Sequence, residues 1–234
     1  MKLIKVNLLT LFMLLAFSSV GVKAQDWANL ERYSAMNEEL EMPTKNENRV
    51  VFMGNSIFDK WLTRDSMFWQ DKPYIDRGIS GQVTSQMLVR FRPDVIDLHP
   101  EVVVILAGTN DIAQNQGEVS LEHIAGNIFS MIELAQQNDI KVVLLSVLPA
   151  VKYNWRKEIK PADKIIALNV LLKAYADEHK ITYVDCYTPM VNDNKGMKKE
   201  LSPDGVHPNY TGYQLMGAKV DDAINKTLKK KCFR

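Results

Sequence analysis

The chain has 234 residues, a formal net charge of +1 and 46% hydrophobic residues, a composition that excludes an intrinsically disordered or fibrous protein. The balanced charge offers no basic surface of the kind that binds nucleic acid or an anionic membrane, so we expect neither as a partner. The length suits one α/β domain with a sizeable core.

Residues 1–24 have the layout of a secretory signal peptide. Lys2 and Lys5 form a basic start, a nearly all-apolar stretch follows, and Val22-Lys23-Ala24 resembles a small-residue cleavage site. The alternative is a membrane anchor, but the apolar stretch is short for a membrane span. We therefore expect cleavage after this site, a single domain over residues 25–234 without a stable membrane span, and an exported protein, either periplasmic or secreted.

Five short apolar runs, each followed by small or polar residues, have the pattern of buried β-strands. The run Val102-Val103-Val104-Ile105-Leu106 is unbroken and rich in β-branched residues, which is typical of a strand covered on both faces of a parallel sheet. The predicted strands lie at residues 50–53, 73–78, 101–107, 141–147 and 181–185.

Apolar residues recur at helical spacing in the segments between these strands. The predicted helices lie at residues 83–96, 121–135, 161–175 and 211–228, with an exposed leading helix within residues 26–40 and a short helix or loop at residues 61–69. Strands that alternate with helices predict right-handed crossovers. The sequence therefore predicts an α/β fold, a mostly parallel sheet of about five strands with helices on both faces.

Two cysteines, Cys186 and Cys232, are present. An exported protein can form a disulfide, and two cysteines allow one pairing. Cys186 falls in a predicted buried strand, where an unpaired buried thiol is the alternative.

Polar residues that carry chemistry follow the predicted strands. Ser56, Gly81 and Asn110 each come after a strand, and Asp204 and His207 occupy a turn before the last helix. Because parallel strands end at the same edge of a sheet, we expect these residues to meet in the crevice where open α/β sheets bind ligands.

These residue types suit acyl transfer, which needs a nucleophile, a base and donors for the developing oxyanion. Ser56 supplies a hydroxyl, and His207 is a base that titrates near neutrality. Asp204, three residues earlier, can orient the imidazole. Gly81 can bring a backbone N–H close to a substrate, and Asn110 can donate from its amide.

Each of these residues also has an interpretation without catalysis. Gly81 could simply form the turn that leads into a helix, and Asn110 could belong to a helix cap. Asp204 precedes a glycine in a common turn pair, and His207 could be a surface histidine. The coincidence of five suitable residues at suitable element ends favours the catalytic interpretation.

The sequence resembles the SGNH hydrolases, also called GDSL-type esterases and lipases. Four blocks carry the resemblance, in family order and over most of the chain: Gly54-Asn55-Ser56-Ile57, Gly78-Ile79-Ser80-Gly81, Gly108-Thr109-Asn110-Asp111 and Asp204-Gly205-Val206-His207-Pro208. The resemblance implies a flavodoxin-like three-layer α/β/α sandwich. It also implies hydrolysis of an ester or thioester without a metal or other cofactor.

The resemblance assigns a role to each residue. Ser56 is the nucleophile and gives one oxyanion donor from its backbone N–H. Gly81 and Asn110 give the second and third donors. His207 is the general base, which Asp204 orients. One departure from the family is that Asn stands at position 55, where Asp is usual; this change keeps the shape and hydrogen-bonding reach of the side chain but removes its charge.

Three aromatic residues near the predicted strand ends, Trp61, Tyr153 and Trp155, could form a wall for a sugar ring, or they could simply pack the rim. From the resemblance and the expected export, we expect a small-molecule or glycan ester as substrate, with short acyl groups such as acetyl. The alternatives are a lysophospholipase or thioesterase of the same fold, and a non-catalytic glycan-binding module.

Overall fold

The computed structural model describes residues 26–230. The predicted signal peptide and Cys232 lie outside these residues. The strands are β1 (Val50–Gly54), β2 (Tyr74–Gly78), β3 (Val102–Leu106), β4 (Lys141–Leu145) and β5 (Thr182–Val184). They form one sheet in the order β2-β1-β3-β4-β5, and all its pairs are parallel. The prediction of a parallel sheet of about five strands is confirmed.

The helices fill the connections between the strands. They are α1 (Glu31–Glu38), α2 (Ser56–Asp59), α3 (Trp61–Arg64), α4 (Thr84–Asp94), α5 (Thr109–Ile112), α6 (Leu121–Gln137), α7 (Ala162–Glu178), α8 (Tyr187–Met190) and α9 (Tyr210–Leu228). Single 3-10 turns lie at Ser66–Phe68, Ile96–Leu98 and Lys199–Leu201. Within residues 26–230 no helix is both long and apolar enough to cross a membrane.

Two cores, one on each face of the sheet, make the fold three layers thick. Successive side chains of a strand point to opposite faces, so Val103 and Ile105 of β3 enter the core beneath α4, α6 and α7. Val102 and Val104 enter the other core, beneath α9 and an aromatic cluster around Phe52. This double coverage is the reason that the β3 sequence is apolar at every position.

The order of the strands opens a crevice above β1 and β3. Both β2 and β3 neighbour β1, so the chain leaves β1 towards one side of the sheet and leaves β3 towards the other. Connections that diverge in this way leave room for a ligand at the carboxyl ends of the two strands. Ser56 and Asn110 follow these two strand ends.

The structure corrects some local predictions. The leading helix occupies only Glu31–Glu38, and residues 61–69 divide into α3 and a 3-10 turn. Cys186 was predicted in a strand, but it lies two residues beyond β5, at the start of α8, where it is buried.

Candidate active site

The position of Ser56 follows from a cap. Ser56 is the first residue of α2, and the Asn55 side-chain oxygen accepts a hydrogen bond from the Ile57 N–H at 3.1 Å. Asn and Asp share the side-chain oxygen that such an N-cap needs, so Asn55 performs this structural task without a charge. The helix thus begins directly after β1 and holds the Ser56 hydroxyl at the crevice.

A continuous line of hydrogen bonds joins three of the predicted residues. Ser56 Oγ lies 2.9 Å from His207 Nε2, and His207 Nδ1 lies 2.7 Å from Asp204 Oδ2. A carboxylate only accepts hydrogen bonds, so Nδ1 carries the imidazole proton and donates to Asp204. Nε2 therefore has a lone pair that faces the Ser56 hydroxyl and can accept its proton, which is the arrangement that makes a hydroxyl nucleophilic.

The loop before α9 holds Asp204 in place. Asp204 Oδ1 accepts hydrogen bonds from the backbone N–H groups of Val206 at 2.9 Å and His207 at 2.8 Å. Burial by itself raises the pKa of Asp204, but hydrogen bonds from the His207 backbone and imidazole and from the Val206 backbone outweigh it and lower this pKa to about 2. The carboxylate is consequently ionised throughout the neutral range.

His207 is held as a neutral base. Burial lowers its pKa below the ordinary value of 6.5, Asp204 opposes that change, and the positive charges of Lys60 and Arg64 add to it. The Ser202 hydroxyl donates to the His207 carbonyl at 2.7 Å, which fixes the backbone of this residue. A neutral imidazole at pH 7 is the form that accepts a proton.

The loops that carry the predicted oxyanion donors contact each other. Asn110 Nδ2 donates to the Gln82 carbonyl at 2.9 Å, next to Gly81. Gly81 has a φ of +82°, a left-handed conformation that favours glycine. Among the hydrogen bonds of residues 26–230, neither the Ser56 nor the Gly81 backbone N–H has an acceptor, and the second N–H of the Asn110 amide has none. All three groups are therefore available as donors.

A buried arginine ties these loops to the sheet. Arg90 is 0% exposed and donates to the carbonyls of Gly54 at 3.1 Å and Arg77 at 2.8 Å, at the ends of β1 and β2. It also donates to the Gln82 side chain at 2.6 Å and to Asp94 at 2.9 Å. Arg90 thus links the strand that precedes Ser56 to the loop that holds Asn110.

The prediction of an aromatic wall for a sugar ring is wrong for two of its three residues, Trp61 and Tyr153. Trp61 is 0% exposed and stacks on Phe68 and Tyr213 with ring centroids 4.3 and 5.1 Å away, because it faces the aromatic core rather than the crevice. Tyr153 is also 0% exposed, with its hydroxyl 3.0 Å from Thr109 Oγ1. Neither ring is accessible to a sugar, and the packing interpretation is the right one for both.

Trp155 remains at the candidate site. It is 44% exposed, and its ring centroid lies 6.5 Å from that of His207. Its indole N–H donates to the Asn115 side chain at 3.0 Å, and Asn115 Nδ2 donates to the Gly81 carbonyl at 3.0 Å. An indole held in this way beside the imidazole can stack on a substrate ring.

Sequence reasoning missed Lys60. Its Nζ lies 3.4 Å from His207 Nε2, the atom that also faces Ser56 Oγ. The available signal was the spacing, since residues four apart in a helical turn share a face. Gln82, Ser202 and Asn115 were also missed, because their contributions depend on contacts between loops that sequence patterns do not specify.

Two surface cavities lie away from these residues. One of about 510 Å³ lies between α7 and β5, and one of about 480 Å³ lies near the start of β4 and β5. Neither is lined by Ser56, Asp204 or His207. Across the described range, residues 26–230, no group of three or more His, Cys, Asp or Glu residues is arranged to hold a metal ion. The side-chain geometry at the β1 and β3 ends is therefore what defines the candidate site.

The three-layer fold and the hydrogen-bonded side chains of Ser56, His207 and Asp204 define an α/β/α hydrolase of the SGNH class. The sequence model of the GDSL-like lipase/acylhydrolase family matches residues 52–215 of the chain. The chain belongs to this family, and all five predicted catalytic and oxyanion residues lie within the matched range. Membership confirms the resemblance found in the sequence and implies an ester hydrolase.

Solved structures agree with this assignment. A protein described as an acylhydrolase, from Bacteroides fragilis NCTC 9343, is 51% identical with a TM-score of 0.86, over 88% of this chain and 100% of that one. A GDSL-like lipase from Bacteroides thetaiotaomicron VPI-5482 is 50% identical with a TM-score of 0.83, over 85% of this chain and 98% of that one. The fold prediction is thereby confirmed.

More distant similarities extend the comparison. Axe2, an acetylxylan esterase from Geobacillus stearothermophilus, is 17% identical with a TM-score of 0.62, over 82% of this chain and 99% of that one, and thus shares the fold. The uncharacterized lipoprotein YqeF of Bacillus subtilis (strain 168) is 31% identical over 88 residues, 36% of this chain. The matched part spans about a third of that protein, 36% of its length.

Proposed function

We propose that the protein is a serine esterase that removes short acyl groups, acetyl above all, from glycans through an acyl-enzyme. The observation that carries the proposal is the unbroken line from Ser56 Oγ through the imidazole of His207 to Asp204, with distances of 2.9 and 2.7 Å. Those distances allow a proton to move from the hydroxyl to Nε2 while the carboxylate stabilises the imidazolium.

The reaction has two halves. Ser56 Oγ attacks the ester carbonyl carbon as Nε2 of His207 takes its proton, and the tetrahedral intermediate then expels the alcohol, which leaves with that proton. In the second half, water gives a proton to Nε2 and attacks the acyl-enzyme. Collapse of the second intermediate releases the carboxylic acid and returns the proton to Ser56 Oγ.

The negative oxygen of each intermediate needs donors that are already in place. We assign this task to the backbone N–H groups of Ser56 and Gly81 and to the side-chain amide of Asn110. The support is that each of these donors has an N–H without an acceptor among the described residues, and that Gln82 fixes the Asn110 amide.

The substrate class rests on Trp155 and on the fold. An exposed indole 6.5 Å from the catalytic imidazole suits a sugar ring that carries the ester. A fold relative, Axe2, is an acetylxylan esterase. Removal of acetyl groups from a glycan is the activity that agrees with both observations.

We also propose that the protein is exported. The predicted signal peptide at residues 1–24 supports this, and the Bacillus subtilis relative is described as a lipoprotein. Detection of the mature protein in periplasmic and culture fractions, with its amino terminus read by mass spectrometry, tests both the export and the cleavage site.

The decisive assay compares wild type with Ser56→Ala on p-nitrophenyl esters of increasing acyl length and on acetylated xylo-oligosaccharides. We expect acetate release by wild type to exceed that of Ser56→Ala by at least about 10⁴-fold, and kcat/KM to fall as the acyl chain lengthens. Equal rates would support a non-catalytic binding module. A preference for long chains would support a lysophospholipase or thioesterase.

A further inference from the structure

Lys60 is held at the reacting centre by the backbone. It caps the carboxyl end of α2, and its backbone N–H donates to the Ser56 carbonyl at 3.1 Å. The two side chains therefore lie on the same face of one helical turn. Lys60 Nζ reaches to 3.4 Å from His207 Nε2.

The ammonium group of Lys60 has no carboxylate partner in the part of the chain that the structure describes. Its neighbour Asp59 is hydrogen-bonded to the Ser80 hydroxyl and lies 3.8 Å from Arg32. Asp204 lies on the opposite side of the imidazole, at Nδ1, where hydrogen bonds occupy both of its oxygens. The positive charge beside Nε2 is thus uncompensated by the residues around it.

A second cation reinforces this charge. Arg64, one turn after Lys60, donates to the Pro208 carbonyl at 3.0 Å and forms no ion pair within residues 26–230. The charged groups that face His207 are consequently two cations, Lys60 and Arg64, and one anion, Asp204.

This arrangement slows the proposed reaction on a neutral substrate relative to one that brings a negative charge. A cation near Nε2 disfavours the imidazolium that forms when Ser56 loses its proton. Lys60 also competes with Ser56 for the single lone pair of Nε2. An anionic group that draws the ammonium to itself removes both effects, since it neutralises the charge and leaves Ser56 Oγ as the partner of Nε2.

We propose that Lys60 is a specificity-determining residue that binds an anionic group on the alcohol side of the substrate, so that the preferred substrate is an acylated acidic sugar. This proposal rests on the proposed esterase function. Trp155 and Lys60 both border the imidazole of His207. Together they select a substrate whose sugar ring stacks on the indole and whose negative charge pairs with the ammonium group.

The test uses three acetylated sugars that differ in charge. They are an O-acetylated methyl glucuronoside, its neutral methyl ester, and an O-acetylated methyl glucoside 6-sulfate, which separates carboxylate from sulfate recognition. Acetate release gives kcat/KM for wild type, Lys60→Met and Lys60→Arg. Lys45→Met is the control, because Lys45 is exposed ahead of β1, at the opposite end of the sheet, and its loss changes the net charge equally.

We expect wild type and Lys45→Met to prefer at least one anionic sugar over the neutral ester by about 10- to 100-fold, the range of a charge-assisted hydrogen bond. Lys60→Met should lose this preference, because kcat/KM should fall on the anionic sugar and rise on the neutral ester, where the uncompensated cation no longer opposes the base. Lys60→Arg should retain the preference, and 0.5 M salt should weaken it.

Failure of this proposal is distinguishable from failure of the esterase proposal. Hydrolysis of all three sugars without a preference for charge, or an equal loss on all three in Lys60→Met, overturns the role of Lys60 and leaves the esterase proposal intact. If wild type cleaves p-nitrophenyl acetate but none of these sugars, the role of Lys60 is overturned and the esterase proposal stands. If wild type cleaves neither the sugars nor p-nitrophenyl acetate, both proposals are overturned.

Discussion

Ser56 Oγ and His207 Nε2 lie 2.9 Å apart although 151 residues separate them in the chain. Local structure fixes each partner separately. The Asn55 cap holds Ser56 at the end of β1, while Ser202 and Asp204 hold the loop that presents His207.

The first prediction concerns pH. Burial lowers the pKa of His207 below 6.5, and the nearby positive charges add to that effect. In the proposed reaction the neutral imidazole is the active base, so a lowered pKa extends activity towards acid. We expect kcat/KM for p-nitrophenyl acetate to rise through a midpoint below pH 6.5 and to level off at higher pH. A midpoint above 7 would contradict the assignment of a neutral base.

The second prediction concerns Asn110→Ala. Loss of one oxyanion donor should lower kcat by about 10²–10³-fold with little change in KM. The variant also leaves the buried Gln82 carbonyl without its partner, which should cost about 1–3 kcal/mol in the free energy of unfolding. Steady-state kinetics and urea unfolding measure the two effects. Asn138→Ala, at an exposed position after α6, is the control, and a kcat equal to the control would remove Asn110 from the oxyanion hole.

The third prediction concerns Arg90→Met. Removal of the guanidinium leaves Asp94 buried without its charge partner, and it unties the ends of β1 and β2. We expect a loss of about 3–5 kcal/mol in the free energy of unfolding. Urea titration measures this loss, with Arg92→Met, exposed on the same helix, as the control. A second change, Asp94→Asn, should restore part of the stability, and no restoration would show that the charge pair is not the cause.

The fourth prediction concerns Asp76. Burial raises its pKa to about 7, the nearby Asp59 adds to that effect, and a hydrogen bond from the Gly78 N–H opposes it. An acid whose pKa is higher in the folded state than its unfolded value near 4 contributes stability at low pH and loses it as the pH rises through 7. Asp76→Asn should therefore raise Tm at pH 8 and change it little at pH 4. Asp193→Asn, at an exposed position, is the control. An equal Tm for Asp76→Asn and wild type at pH 8 would contradict a raised pKa for Asp76.

The sequence could predict the parts of the fold that hydrophobic pattern determines. The unbroken apolar run of β3 indicates a strand with two covered faces, and the structure places it third in a five-stranded sheet. The four motif blocks predict which residues face the crevice, because each block follows a strand or precedes a helix. The order of the blocks along the chain and their positions next to the strands are enough to make this prediction.

Other features depend on which way a side chain points. Trp61 follows α2 closely, yet it turns into the aromatic core, and Tyr153 is buried against Thr109. Lys60 turns towards His207, and Arg90 lies inside the molecule despite its charge. The helical pattern of α4 gives no sign that Arg90 has four buried acceptors, because three of them, the Gln82 side chain and the carbonyls of Gly54 and Arg77, lie outside that helix.

The central claim is that His207 activates Ser56 to form a covalent bond. Diethyl p-nitrophenyl phosphate, which reacts with activated serine hydroxyls, tests it by mass spectrometry of the intact protein and its peptides. We predict one diethylphosphoryl group per chain, on the peptide that contains Ser56, with no adduct in Ser56→Ala and a strongly slowed reaction in His207→Ala. Labelling of another residue in wild type, or an unchanged rate in His207→Ala, would contradict the claim.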